Sequence, residues 1–233
     1  MREIVLDTET TGLNPFDTPK NRIVEIGCVE LINRVATGEV YHQFINPERD
    51  MPEEAFRVHG LSEAFLAEHP VFREIADDFL NFVGDSQMII HNASFDMKFL
   101  NAELEWVSKT QLSMGQATDT LAMARSKFPG SQASLDALCR RFEIDNSSRT
   151  YHGALLDSEL LAEVYLELTG GRQPGLLAGS DDSTKENGSV LNSQLLINTD
   201  KPVRPVRPHH PSVDEIGAHK EFLEKITDPI WNK

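Results

Sequence analysis

The sequence predicts an α/β fold, a mixed central sheet flanked by helices, followed by a C-terminal extension outside that core. Three observations lead there. Strand-like apolar runs crowd the N-terminal part, helical apolar spacing dominates from Val71 onward, and the composition changes after Gly171.

Residues 3–7, EIVLD, are a short apolar run ending at an acid, the pattern of a buried strand. Gly12, Asn14, Pro15 and Pro19 then break the chain. Arg22–Asn33 and Glu39–Ile45 read as two further strands, with Thr37-Gly38 as the turn between them. Three strands so close in sequence form a meander. Pro52–Gly60 and Leu61–His69 read as short helical pieces, and Val71–Val83 carries a helical apolar stripe at 71, 72, 75, 76, 79, 80 and 83. Met88–His91 is a buried strand by composition. Helices are expected over Phe95–Trp106, Thr120–Lys127, Leu135–Phe142 and Ala154–Leu168, the last ended by Gly170-Gly171.

Beyond Gly171 the residues turn polar, and Lys201-Pro-Val-Arg-Pro-Val-Arg-Pro-His-His-Pro211 favours extended, semi-rigid chain over a packed core. Ser212-Val-Asp-Glu215 matches a helix capping box. Val213, Ile216, Phe222, Leu223 and Ile226 then form one apolar side of a helix too short to bury it unaided. The division expected is a core of 1–170, a flexible linker of 171–211 and a tail of 212–233.

The 39% hydrophobic and 25% charged content is that of a soluble globular protein. The N-terminus reaches acids too early for a signal peptide, and no apolar run approaches the roughly 20 residues of a membrane span. Cys28 and Cys139 sit in apolar-periodic segments and read as reduced core thiols of a cytoplasmic protein. A net charge of −15 argues against a broad basic surface for duplex DNA. It is compatible with a site whose carboxylates are offset locally by divalent cations.

Three short motifs carry the chemistry. In Asp7-Thr8-Glu9, alternation along a strand sends both carboxylates to one face, where they offer hard oxygen ligands for magnesium or manganese. In His91-Asn-Ala-Ser-Phe-Asp96, a strand-to-helix junction puts Asp96 in the first helical turn; helix-dipole stabilisation explains such an acid equally well. In His152-Gly-Ala-Leu-Leu-Asp157, a loop histidine precedes a helical acid, and an imidazole with an ordinary pKa of about 6.5 can take a proton near neutrality. Each motif alone has a structural explanation. Their joint occurrence, in order and each at an element's end, is far more specific.

The set Asp-x-Glu, Asn92-Ala-Ser-Phe-Asp96 and His-x4-Asp resembles the DEDDh 3′→5′ exonucleases, the tyrosine branch being excluded by Gly153. The resemblance implies an RNase H-like fold for 1–170. It implies that Asp7, Glu9, Asp96 and Asp157 hold two Mg2+ or Mn2+ ions about 3.5–4 Å apart, and that His152 deprotonates the attacking water. The 3′-terminal nucleotide would leave as a 5′-monophosphate. It further implies that Leu13 and Val58 pack on the base or sugar, that Glu9, Thr10 and His59 supply polar contacts, and that Asn92 and Phe95 line the same pocket. Val58 and Phe95 have core packing as their alternative.

Over nearly its whole length the chain is similar to the epsilon, or proofreading, subunits of bacterial DNA polymerase III, with Thr169-Gly170-Gly171 and Asp214-Glu215-Ile216 among the matching residues. That similarity implies work at a DNA 3′ end in the replisome. It implies a polymerase alpha-like partner bound by the tail helix and Trp231, and a sliding clamp bound by Gln173–Leu177. The alternatives are a stand-alone RNA or single-stranded DNA exonuclease, and a non-catalytic polymerase adaptor.

Overall fold

The computed structural model describes residues 1–147, 151–171 and 211–225, which fall in two units. In the first unit, β1 (Arg2–Thr10), β2 (Ile23–Ile32) and β3 (Val35–Phe44) form an antiparallel meander. The chain continues through α1 (Glu53–His59), α2 (Glu63–Leu66) and α3 (Phe72–Val83) to β4 (Gln87–Ile90) and α4 (Ala93–Trp106). β5 (Ala117–Asp119), α5 (Thr120–Lys127), α6 (Leu135–Phe142) and α7 (Ala154–Leu168) complete it. The sheet has the order β3-β2-β1-β4-β5, with β4 and β5 parallel to their neighbours. This is the expected mixed sheet between helices, of the RNase H-like kind.

The middle of β1, Ile4-Val5-Leu6, is an unbroken apolar run because both faces of the strand are covered there. Ile4 and Leu6 join Ile26 and Cys28 under α3 and α4, against Phe72, Phe79, Met97 and Leu100. Val5 joins Val29, Leu31 and Ile89 under α5–α7, against Leu138, Leu161 and Val164. Each of these large side chains contributes about 1.5–3 kcal/mol by leaving water. Cys28 and Cys139 are buried free thiols, and burial, helped by the charge of Asp7, pushes the Cys28 thiol up.

Two expectations need correction. The β2–β3 turn is Asn33-Arg34, not Thr37-Gly38: both residues have positive φ (52° and 67°), as a two-residue hairpin turn requires. Thr37, Gly38 and Glu39 lie within β3 as a bulge opposite Glu30, where the Thr37 hydroxyl donates to the Glu30 carboxylate (2.8 Å). The sequence also gives no strand between Trp106 and Thr120. β5 has only three residues and exists through its pairing with β4.

In the second unit, α8 (Val213–Leu223) starts at the expected capping box, with Glu215 N–H donating to Ser212 Oγ (3.3 Å) and Ser212 N–H to Glu215 Oε2 (2.7 Å). Val213, Ile216 and Phe222 are exposed. Gln173–Leu177, most of the expected linker, Ile226 and Trp231 lie outside the described residues. Among the described residues, no helix is long and apolar enough to cross a membrane.

Candidate active site

The C-terminal end of β1 gathers the three motifs. Asp7 and Glu9 share one face of the strand, where their cross-strand partners on β2 are Gly27 and Glu25. Gly27 is what lets α7 approach. A Cβ there would lie 2.3 Å from the backbone of Ala154 and Leu155, so the first turn of α7 rests directly on β2 beside Asp7. Ser158, buried one residue after Asp157, fixes the contact by donating its hydroxyl to Gly27 O (2.9 Å).

Asp157 is buried in that first turn. His152 precedes the helix on a half-exposed loop, its Nδ1 3.4 Å from Asp157 Oδ2. Glu9, His152 and Asp157 each bring a ligand atom to a common point, all within 4.8 Å of one another. Two carboxylates and an imidazole around one point form a candidate metal centre suited to a hard or borderline divalent cation.

Asp96 arrives from the opposite face of the sheet. Its Oδ1 accepts both the Thr8 N–H (3.1 Å) and the Thr8 hydroxyl (2.7 Å), locking the start of α4 to β1. Burial pushes its carboxyl up to about 7; the Thr8 donors oppose that shift and the charge of Asp119 adds to it. A buried acid that retains a proton near neutrality exchanges it readily for a divalent cation, so this residue too fits a metal role.

The start of α4 depends on a left-handed residue. Asn92, at φ 67°, is exposed, and its N–H donates to Asp119 Oδ1 (3.0 Å). Asp119 simultaneously caps α5 by accepting from Leu121 N–H (2.9 Å). Phe95 packs at the edge of the core against Phe99, with ring centroids 5.1 Å apart.

The remaining expected contacts surround the same end of the sheet. Leu13 is 81% exposed, on a loop whose Gly12 packs against the Asn21 side-chain amide, which would have to shift to admit a Cβ there. Thr10 is buried and donates its hydroxyl to Gly12 O (2.7 Å), which leaves it only acceptor capacity toward a ligand. Val58, at 47% exposure, is not a core residue. His59 is buried; its Nδ1 accepts from Leu61 N–H (3.0 Å), so Nε2 carries the proton, and Nε2 is a buried polar atom without a partner. Burial lowers the His59 pKa, with Glu25 opposing and His152 reinforcing, so the ring is a neutral donor.

Two acids outside the motifs stand beside these groups. Glu25 is buried opposite Glu9 and contacts His42 Nε2 (2.8 Å). Alternation along β2 could have found it, since it shares the Gly27–Val29–Leu31 face and an acid there is anomalous. Asp119 was legible only as a helix cap; its bond to Asn92 spans 27 residues of sequence. A cavity of about 860 Å³, lined by Glu3, Leu31, Val35 and Leu166 among others, lies at the start of β1 and contains none of the motif residues.

Comparison with known proteins follows the same lines. The family RNase_T, described as Exonuclease, matches residues 4–165. The DNA polymerase III subunit epsilon of Rickettsia felis is 51% identical over 229 residues, 97% of each chain. That of Escherichia coli strain K12 is 41% identical over 231 residues, 97% of this chain and 93% of the other. Among solved structures, Exonuclease X in complex with 5′ overhanging duplex DNA superposes with a TM-score of 0.57 at 25% identity, covering 72% of this chain and 90% of that one. The nuclease domain of 3'hExo, a DEDDh family member bound to rAMP, gives a TM-score of 0.62 at 15% identity over 72% and 91% of the two chains, and shares the fold.

Proposed function

This chain belongs to the RNase_T family of exonucleases, as a DEDDh 3′→5′ exonuclease of the proofreading type, and on that premise we propose how its residues divide the work. Asp7, Glu9, Asp96 and Asp157 would hold two Mg2+ or Mn2+ ions. Those ions, when bound, supply charge neutralisation for the attacking and leaving oxygens of the scissile phosphate. The observation that supports this reading is the meeting of Glu9 and Asp157, with His152, within 4.8 Å at the end of β1, a candidate place for one of the ions.

His152 is the general base. It sits at the mouth of the site on a half-exposed loop, beside Asp157, whose carboxylate stabilises the imidazolium formed when the ring takes a proton from water. Leu13 and Val58, both exposed, grip the terminal nucleotide by its apolar surface. The neutral His59 Nε2–H is a donor awaiting an acceptor, and a nucleotide oxygen satisfies it. Glu9, Thr10 and Asn92 add polar contacts, and Phe95 closes the pocket.

The substrate is a DNA 3′ end, preferentially mispaired because a frayed strand reaches carboxylates at the C-terminal end of the central strand more easily than a paired one. The core of 1–170 is the nuclease, 171–211 a linker, and 212–233 the segment bound by a polymerase alpha-like subunit. The exposed apolar residues of α8 support that last assignment. Gln173–Leu177 is proposed as a sliding-clamp ligand. With polymerase and clamp holding the DNA, a chain of net charge −15 needs no basic surface of its own. The test is digestion of a 3′-mismatched DNA primer with and without magnesium, comparing wild type with His152→Ala. Metal-independent cleavage, or full activity of the variant, sinks the mechanism.

A further inference from the structure

Gly153, which precedes α7, offers no side-chain cap, and the His152 side chain is 49% exposed, with its Nδ1 3.4 Å from Asp157. Further contacts to its loop come from the end of α1. The His152 N–H donates to Val58 O (3.1 Å). One residue earlier, the Tyr151 ring lies flat against Gly60: a Cβ at Gly60 would be 3.3–3.4 Å from Cγ, Cδ1 and Cδ2 of that ring. Gly60 ends α1 in the left-handed conformation (φ 72°), with its N–H on Phe56 O (2.8 Å). It therefore offers both the backbone geometry the cap needs and a bare Cα on which the ring can rest. Tyr151 is 57% exposed, which is not the burial of a core aromatic. Between the two contacts lies His59, close enough to feel the charge of His152.

We propose that Tyr151 is a positioning residue: by packing on Gly60 it pins the base loop to Val58–Gly60, the segment that grips the terminal nucleotide. The proposal rests on reading His152 as the general base. Seating of the nucleotide and placement of the base are then one mechanical unit. A nucleotide pressed on Val58 and His59 bears on the residues that carry the Tyr151–His152 loop. The contact uses the ring face, so the hydroxyl is dispensable.

The experiment measures kcat and KM of the full chain with magnesium on a 3′-mismatched primer, for Tyr151→Ala, Tyr151→Phe, His152→Ala and the Tyr151→Ala/His152→Ala double variant. A displacement of the base by an ångström is expected to lower kcat of Tyr151→Ala by roughly 10- to 100-fold with KM within about twofold. Tyr151→Phe should keep kcat within about twofold, and Tyr151→Ala should cost less than about twofold more once His152 is already alanine. Thermal unfolding is followed alongside. Wild-type kcat in Tyr151→Ala, a Tyr151→Phe as slow as Tyr151→Ala, or an undiminished loss in the His152→Ala background overturns the proposal. So does a loss that merely tracks the unfolded fraction. Wild-type kcat in His152→Ala overturns the assignment of the base itself, a failure distinct from that of the tether.

Discussion

Helix α4 buries two carboxylates, Asp96 in its first turn and Glu103 about two turns later, and the chain surrounds them in opposite ways. Glu103 receives the Arg22 guanidinium on both oxygens (2.7 and 2.9 Å) and the Ile23 N–H (3.1 Å). Burial works to lower the Arg22 pKa, but the bonds and charge of Glu103, with Glu48, outweigh it and hold the guanidinium above its ordinary value. Asp96 receives neutral donors, the N–H and hydroxyl of Thr8 and its own N–H, feels the charge of Asp119, and is pushed by burial up to about 7. One acid is compensated by an arginine within the chain; the other is not, which is what the proposed metal role of Asp96 requires. The same element thus carries two buried carboxylates in opposite electrostatic settings, and the surroundings, not the residue type, set the difference.

That contrast can be broken in order of expected size. Asp96→Asn keeps an acceptor for Thr8 but removes the charge, and exonuclease activity with magnesium should fall about a thousandfold, some 4 kcal/mol of barrier. A steady-state rate within tenfold of wild type would place Asp96 with Glu103 among the structural acids. Glu103→Ala leaves Arg22 buried without its partner and should lower the unfolding free energy by about 3 kcal/mol in urea titration. Activity per folded molecule should change little, and a large loss there would erase the distinction from the other side.

Gly27→Ala asks whether the site depends on helix placement as well as on charge. The new methyl meets the α7 backbone, and the resulting shift should cost about 2 kcal/mol of stability and at least about tenfold in activity. Unchanged denaturant midpoint and rate would show that α7 is not held by that notch.

The smallest effect concerns pH. Asp96 has a folded pKa of about 7, above its unfolded value of about 3.9, so the metal-free fold binds the extra proton. The stability this contributes is fully present below about pH 4 and is lost as pH rises through about 7. At pH 8 without metal, Asp96→Asn should therefore be more stable than wild type by about 1 kcal/mol, or roughly 2–4 °C in melting temperature. At pH 4 the gap should close. A variant less stable than wild type at pH 8 would mean that the Asp96 charge is already compensated by the protein.

Much of the site was legible because its signals are local. Asp7 and Glu9 share a face by the two-residue period of a strand, and Asp157 falls in the first turn of a helix whose apolar spacing marks its start. The capping box at Ser212 was readable for the same reason. The hairpin turn was misplaced because Thr37-Gly38 is as good a local turn signal as Asn33-Arg34; the strand pairing chose between them. Val58 and Phe95 each had core packing as an alternative, and only their burial separates an exposed Val58 from a half-buried Phe95. Glu25 and Asp119 belong to no motif, and both act across strands or helices.

By itself, then, the sequence determined most of the strands and helices, β5 excepted, the buried run of β1 and the three motifs from which the candidate site is drawn, since periodicity and motif spacing are short-range properties of the chain. Only the tertiary structure decided which buried acid meets an arginine and which does not, how closely α7 sits on Gly27, and what holds His152. Those depend on through-space distance and on the exclusion of water, and the bond joining Arg22 to Glu103 closes over 81 residues that no local pattern spans.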